Sequence, residues 1–197
     1  MRLYGVDEKK VTVVYHGVEK VEKVERVEKG AYLLYVGRRG GYKNWDWMVE
    51  AVAPLLKDGM KLVCTGLPFS GEERRLLKRL GIADCVEQRT VSAADFPALY
   101  ASAAAFVYPS RYEGFGLPIL DAWAAGCPVV LSRASCFPEI GGDAAEYFEL
   151  DDAKSLRAAI GRAKEKKTVE KGRQRLKGFS WEKCAAETAA VYRRIAG

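Results

Sequence analysis

Histidine is almost missing from this sequence, with His16 the one example in 197 residues. A single imidazole excludes a multi-histidine metal site and counts against an internally built Ser-His-Asp machine. Proline is scarce as well, 7 residues against 19 Gly, and 49% of the chain is hydrophobic. That balance excludes a disordered or collagen-like chain. No apolar run approaches the roughly 20 residues of a membrane-spanning helix, and the N-terminus lacks a signal-peptide core. The expectation is a soluble, cytoplasmic protein. Cysteine pairs are also lacking. Cys64, Cys85, Cys127, Cys136 and Cys184 are odd in number and far apart, which speaks for small buried hydrophobes in a reducing compartment and not for zinc or thiol redox chemistry. Chemistry here has to run on carboxylates, basic groups and backbone amides, or borrow groups from elsewhere.

Acidic residues run short in one stretch only. The net charge is +6, yet Lys154 to Lys177 holds ten Lys or Arg (Lys154, Arg157, Arg162, Lys164, Lys166, Lys167, Lys171, Arg173, Arg175, Lys177) opposed by Glu165 and Glu170 alone. A basic helical face of this kind suits solvent or an anionic membrane surface, to which the chain would bind peripherally. No aromatic residue is interleaved for base stacking, so nucleic acid is not expected as a partner.

From residue 31 onward, short β-branched runs alternate with helical periodicity. Strands are expected at Ala31–Val36, Met60–Thr65, Cys85–Gln88, Ala105–Tyr108, Pro128–Leu131 and Glu146–Glu149. Helices are expected at Trp45–Leu56, Gly71–Leu80, Ala94–Ala101, Leu117–Ala125, Ala153–Lys164 and Ser180–Ile195. Apolar strands alternating with helices predict an α/β fold with a doubly wound parallel sheet covered on both faces. Ligands of such sheets sit beyond the carboxyl ends of the strands, in the strand-to-helix loops. Residues 18 to 29 repeat Val-Glu-Lys or Val-Glu-Arg. A period of three matches neither a strand nor a stable helical stripe, so a solvated linker is expected there, dividing a leading segment 1–29 from a domain at 30–197.

Two loops carry the candidate chemistry. After the first strand comes Gly37-Arg38-Arg39-Gly40-Gly41-Tyr42-Lys43-Asn44, where glycines allow close approach and cations stand beside a helix N-terminus. That suits a phosphate or diphosphate, although the loop is neither a Walker A loop nor a G-x-G-x-x-G fingerprint. After the Ala105–Tyr108 strand comes Pro109-Ser110-Arg111-Tyr112-Glu113-Gly114-Phe115-Gly116-Leu117-Pro118-Ile119-Leu120-Asp121. Pro118 fits a first helical turn, so the amides of Gly114 to Leu117 are expected to be free for an anion. Glu113 and Asp121 place two carboxylates beside that mouth, and carboxylates accept hydrogen bonds from sugar and ribose hydroxyls.

This stretch resembles the Glu-x7-Glu signature of retaining glycosyltransferases with two Rossmann-like domains, the GT-B fold of glycosyltransferase family 4, also called group 1. Val14-Tyr15-His16-Gly17-Val18 is similar to the segment entering their second domain, usually with Asn in place of His16. Gly37-Arg38 followed by Lys43 has the family spacing, and Tyr42-Lys43-Asn44 resembles its mannosyltransferase branch. Asp95-Phe96, Leu99-Tyr100, Ala124-Ala125-Gly126-Cys127-Pro128-Val129-Val130, Pro138-Glu139 and Phe179-Ser180-Trp181 fall in register.

The resemblance implies a donor-binding domain, one half of a GT-B enzyme, taking a nucleotide-diphosphate sugar and no other cofactor or metal. Arg38 and Lys43 would neutralise the diphosphate, together with Gly114, Phe115, Gly116 and Leu117. Glu113 would be the catalytic carboxylate, holding hydroxyls of the transferred sugar, and Asp121 would hold the ribose. Asp121 departs from the usual Glu by one methylene. Arg89 departs from a usual Gly near the base pocket, and is expected to face solvent. The family's catalytic-region His belongs to the first domain, so no catalytic role is expected for His16. The acceptor domain would lie in the same full-length chain or in a separate subunit, and this chain alone would bind donor with little turnover. The donor implied is GDP-mannose, with UDP- and ADP-sugars as alternatives. A non-catalytic nucleotide-sugar-binding module and an epimerase- or phosphorylase-like domain remain the competing readings.

Overall fold

A computed structural model describes residues 5–19, 32–163 and 165–196. The Val-Glu-Lys repeat lies mainly outside the described residues. Six strands form one sheet: β1 (Tyr32–Tyr35), β2 (Lys61–Thr65), β3 (Val86–Arg89), β4 (Ala105–Tyr108), β5 (Val129–Ser132) and β6 (Glu146–Phe148). Every neighbouring pair is parallel, in the order β3-β2-β1-β4-β5-β6. β1 and β4 are adjacent, with β2 and β3 wound to one side and β5 and β6 to the other. The crevice for ligands therefore opens between the loops that leave β1 and β4.

The helices are α1 (Trp45–Lys57), α2 (Gly71–Leu80), α3 (Phe96–Ser102), α4 (Leu117–Ala124), α5 (Phe137–Gly141), α6 (Ala153–Ala163), α7 (Lys166–Leu176) and α8 (Trp181–Ala196). One face of the sheet buries Leu33, Tyr35, Leu62 and Val107 against Trp45, Met48, Leu77 and Ile160. The other buries Leu34, Val63, Phe106 and Leu131 against Tyr100, Leu120, Trp123 and Phe137. The central strands are apolar on both faces because both faces are covered. Local signals fix the helix ends. Ser70 and Glu73 form a reciprocal capping box at α2, which stops at Gly81 in a left-handed conformation.

Much of the basic surplus is used within the fold. Arg157 donates to the Ala51 carbonyl at 2.8 Å, Arg162 pairs with Glu146 at 2.7 Å and Lys171 with Asp143 at 3.0 Å. Arg175 donates to the carbonyls of Ile140 and Glu139 at the end of α5, where carbonyls lack helical partners. Among the described residues, no helix is long and apolar enough to cross a membrane.

The leading segment lies against the start of α8. A Cβ on Gly17 would come within 2.1 Å of the Trp181 nitrogen, so only glycine permits that approach. Tyr15 donates to Glu139 at 2.5 Å, and its ring lies 5.8 Å from Phe179 and 6.1 Å from Phe115. His16 meets Phe115 edge-on at 4.9 Å and Trp181 at 5.9 Å.

Candidate donor site at the sheet switch point

The β1–α1 loop leaves the sheet through Gly37 and turns at Gly40 and Gly41, all at positive φ. Nothing lies within 4 Å of a Cβ at any of the three, so this lip is open. The Tyr35 hydroxyl donates to the Arg38 carbonyl at 2.6 Å and holds the turn from beneath. The Arg38 side chain is exposed and makes no ion pair with a described residue. Its neighbour Arg39 is almost fully buried. It pairs with Glu73 at 2.8 Å, donates to the carbonyls of Thr65, Leu67 and Pro68, and stacks 4.7 Å over Phe69. Arg39 thus builds the β2–α2 loop, while Arg38 stays exposed at its lip. A cleft of about 700 Å³ runs between these parts, lined by Arg38, Gly66, Leu67, Thr90, Val91 and Phe96 among others.

Across the switch point, the Arg111 amide donates to the Tyr42 carbonyl at 2.8 Å and ties the β4–α4 loop to the β1–α1 loop. This tie brings Lys43 and Glu113 together. Lys43 Nζ stands 2.6 Å from Glu113 Oε1 and 3.4 Å from the Tyr108 hydroxyl. Both charged side chains are largely buried, 16% and 12% exposed, so the pair is held away from water and its mutual attraction is weakly screened. Burial and the Glu113 charge push the Tyr108 phenol well above its ordinary range, and it stays a neutral hydroxyl beside the pair.

α4 begins at Leu117 with Pro118 in its first turn and no side chain capping its amides. Its N-terminus therefore offers free donors and the positive end of the helix dipole. Gly116 sits at φ 96, and an added Cβ would meet Ile119 Cδ1 at 2.9 Å. Gly114 has neither positive φ nor any atom within 4 Å of a Cβ, so nothing in the fold requires glycine there. Phe115 turns its ring into the cluster with Tyr15, His16 and Phe179.

Asp121 follows on α4. Loss of surrounding water, with the Glu19 carboxylate as a second cause, raises its carboxyl above the usual range. Arg89 is exposed, as the sequence leads one to expect, and is held at the surface by a neighbour. It makes two hydrogen bonds to Glu87, at 2.7 and 2.9 Å, and lies 5.8 Å from the Tyr32 ring. The next residues, Thr90 and Val91, line the cleft in its place. Among the described residues, no group of three or more His, Cys, Asp or Glu could hold a metal ion. Spacing singles out Arg38, but nothing in the residue pattern announces the part Arg39 plays in the β2–α2 loop or the Lys43–Glu113 contact.

The profile of the family "Glycosyl transferases group 1" matches residues 30–165. The O-antigen chain mannosyltransferase B of Escherichia coli is 34% identical over 182 residues, 83% of this chain and 46% of its own length. The MMP alpha-(1->4)-mannosyltransferase of Mycolicibacterium hassiacum is 36% identical over 164 residues, 77% of this chain and 40% of its own. The chain thus spans less than half the length of these curated relatives. Among solved structures, sucrose-phosphate synthase of Thermosynechococcus elongatus superposes with a TM-score of 0.73 at 27% identity, over 87% of this chain and 46% of that one. WaaG, a glycosyltransferase involved in lipopolysaccharide biosynthesis, shares the fold with a TM-score of 0.76 at 19% identity, over 96% and 58%. The sheet is one Rossmann-like half of a GT-B fold, and the chain belongs to the group 1 family of glycosyl transferases.

Proposed function

We propose that this chain is the donor-binding half of a retaining hexosyltransferase, which takes a sugar from a nucleoside-diphosphate sugar and passes it to a glycan or lipid-linked acceptor. The observation that carries this reading is the buried Lys43–Glu113 pair, 2.6 Å long, between the exposed Arg38 and the free amides of α4. One cation and one carboxylate at that spacing fit a ligand with anionic and hydroxyl-bearing groups side by side, as a sugar diphosphate has. Arg38, Lys43 and the amides of Gly114 to Leu117 stabilise the charge that gathers on the departing diphosphate. Glu113 accepts hydrogen bonds from hydroxyls of the transferred sugar, and Asp121 from those of the ribose.

Transfer proceeds on the face from which the diphosphate leaves, which gives retention. Charge neutralisation by these side chains and amides fills the part a divalent ion plays elsewhere. An acceptor domain, in the same full-length chain or a separate subunit, closes the site and brings the acceptor hydroxyl. Mannose carried on GDP is the donor we propose, supported by Tyr42-Lys43-Asn44 and by two relatives that are named mannosyltransferases.

A thermal-shift panel of GDP, UDP, ADP and their hexose conjugates tests the reading. A ligand that binds only the native state raises apparent stability by mass action. GDP-mannose is expected to give the largest shift. A larger shift with UDP- or ADP-glucose would overturn the choice of GDP-mannose, and no shift with any member would overturn donor binding itself.

A further inference from the structure

The β4–α4 loop, which bears Glu113, is held on its second side by the segment that follows β5. The Glu113 amide donates to Ser135 Oγ at 3.2 Å, and Ser135 Oγ donates back to the Glu113 carbonyl at 2.8 Å. The Cys136 thiol lies 3.3 Å from the carbonyls of both Glu113 and Phe115. At the start of the loop, the buried Ser132 hydroxyl donates to the Ser110 carbonyl at 2.5 Å. One hydroxyl therefore satisfies both backbone polar groups of Glu113, the residue whose side chain meets Lys43.

Ser135 does this from an uncommon backbone position, with φ at 54°. Left-handed φ is unfavourable for a residue with a Cβ and free of that penalty for glycine. A fold indifferent to the hydroxyl would gain from glycine at this position. The strained serine therefore marks a demand for the hydroxyl itself, and its partner is the loop beside the α4 amides.

Resting on the donor-binding reading above, we propose that Ser135 is a positioning residue of the donor site, with Cys136 as its support. It fixes the Glu113 peptide, and so holds the Glu113 carboxylate toward the sugar and the Gly114 to Leu117 amides in register for the diphosphate. It touches no donor atom itself.

The test compares Ser135→Gly, which removes the hydroxyl and relieves the strain, with Ser135→Ala, which removes the hydroxyl and keeps it. Three readouts are used on the 197-residue chain. Amide hydrogen exchange without ligand is expected to speed up about tenfold at the Glu113 amide, which donates to Ser135 Oγ, in both variants, while the Tm of Ser135→Gly stays level or rises. Calorimetric affinity for GDP-mannose, UDP-glucose and ADP-glucose is expected to fall about fivefold or more for whichever of these the wild type binds, with affinity for the matching nucleoside monophosphate within about twofold. Unchanged exchange at the Glu113 amide in both variants would overturn the proposal. So would equal losses of monophosphate and sugar conjugate that follow Tm. If the wild-type chain binds none of the three conjugates, the donor reading fails, and the exchange arm still decides whether Ser135 positions the loop.

Discussion

Lys43 Nζ and Glu113 Oε1 stand 2.6 Å apart across the switch point of the sheet, on loops separated by 70 positions in sequence. Without donor, each neutralises the other in a site with little water. On the function proposed above, a bound sugar diphosphate offers each a new partner, phosphate for the lysine and hydroxyls for the carboxylate, so the pair would exchange one satisfied state for another. Neither charge is left buried and unpaired, which is the costly alternative.

Replacing Glu113 with Gln removes the anion that holds Lys43. In the Glu113→Gln variant, GDP without sugar is expected to bind as tightly as to the wild type or more tightly, because Lys43 no longer has to leave a carboxylate. GDP-mannose is expected to lose about tenfold, near 1.4 kcal/mol. Paired calorimetric titrations check this, and a parallel fall for both ligands would contradict it.

Adjacent arginines should separate cleanly. Arg38 is exposed and has no ion pair with a described residue, so Arg38→Ala is expected to change stability by less than about 0.5 kcal/mol while weakening diphosphate binding and its salt dependence. Arg39→Ala leaves the largely buried Glu73 carboxylate with the Ser70 amide alone and removes the donor from three loop carbonyls, and is expected to cost about 3 kcal/mol. Urea unfolding of both variants, beside nucleotide titrations at two salt concentrations, reads both effects.

The two glycines of the β4–α4 loop have different reasons to be glycine. At Gly116, positive φ and the 2.9 Å approach to Ile119 Cδ1 predict that Gly116→Ala loses about 2 kcal/mol of stability. At Gly114 the backbone and the open surroundings accept a methyl group, so Gly114→Ala is expected to fold with an unchanged Tm and to bind donor more weakly. Unfolding and binding measured on the same preparations check the contrast.

The raised pKa of Asp121 sets a pH-dependent sign. A carboxyl raised in the folded state above its unfolded value costs stability once pH rises through the folded pKa, and costs nothing below the unfolded one. Asp121→Asn is therefore expected to raise Tm near neutral pH by about 1–2 °C, a small gain because the group reaches water. The gain should shrink toward zero as pH falls below the carboxylate range. Nucleotide affinity is expected to drop in the same variant. A Tm series from pH 3 to 8 (about one step per unit) checks the sign.

Most of the sheet was legible in the sequence because fully covered parallel strands read as short apolar runs between loops. α2 was legible to the residue, since Ser70, Glu73 and Gly81 are local start and stop signals. α5 was not, for five residues are too few to show a helical period. α7 was hidden by its charge: its packing rests on buried Gly172, where a Cβ would lie 2.4 Å from Trp123 Cδ1, and a small residue in a basic run looks like a loop. Spacing and residue type mark Arg38, Lys43 and Glu113 as candidates, and all three lie in the two loops at the switch point, their roles resting on the proposed function. The structural part played by Arg39 was not legible, because neighbouring side chains in a loop can point opposite ways. Nor was the clamp at Ser135, which depends on a left-handed backbone that serine does not announce.

The most direct test of the central claim is a calorimetric titration of the 197-residue chain with GDP-mannose, UDP-glucose and ADP-glucose, repeated on Arg38→Ala and Glu113→Ala. One-to-one binding of GDP-mannose by the wild type with a Kd below about 1 mM, weakened in both variants, is expected. Absence of binding by all three sugar conjugates, or undiminished binding in both variants, would contradict it.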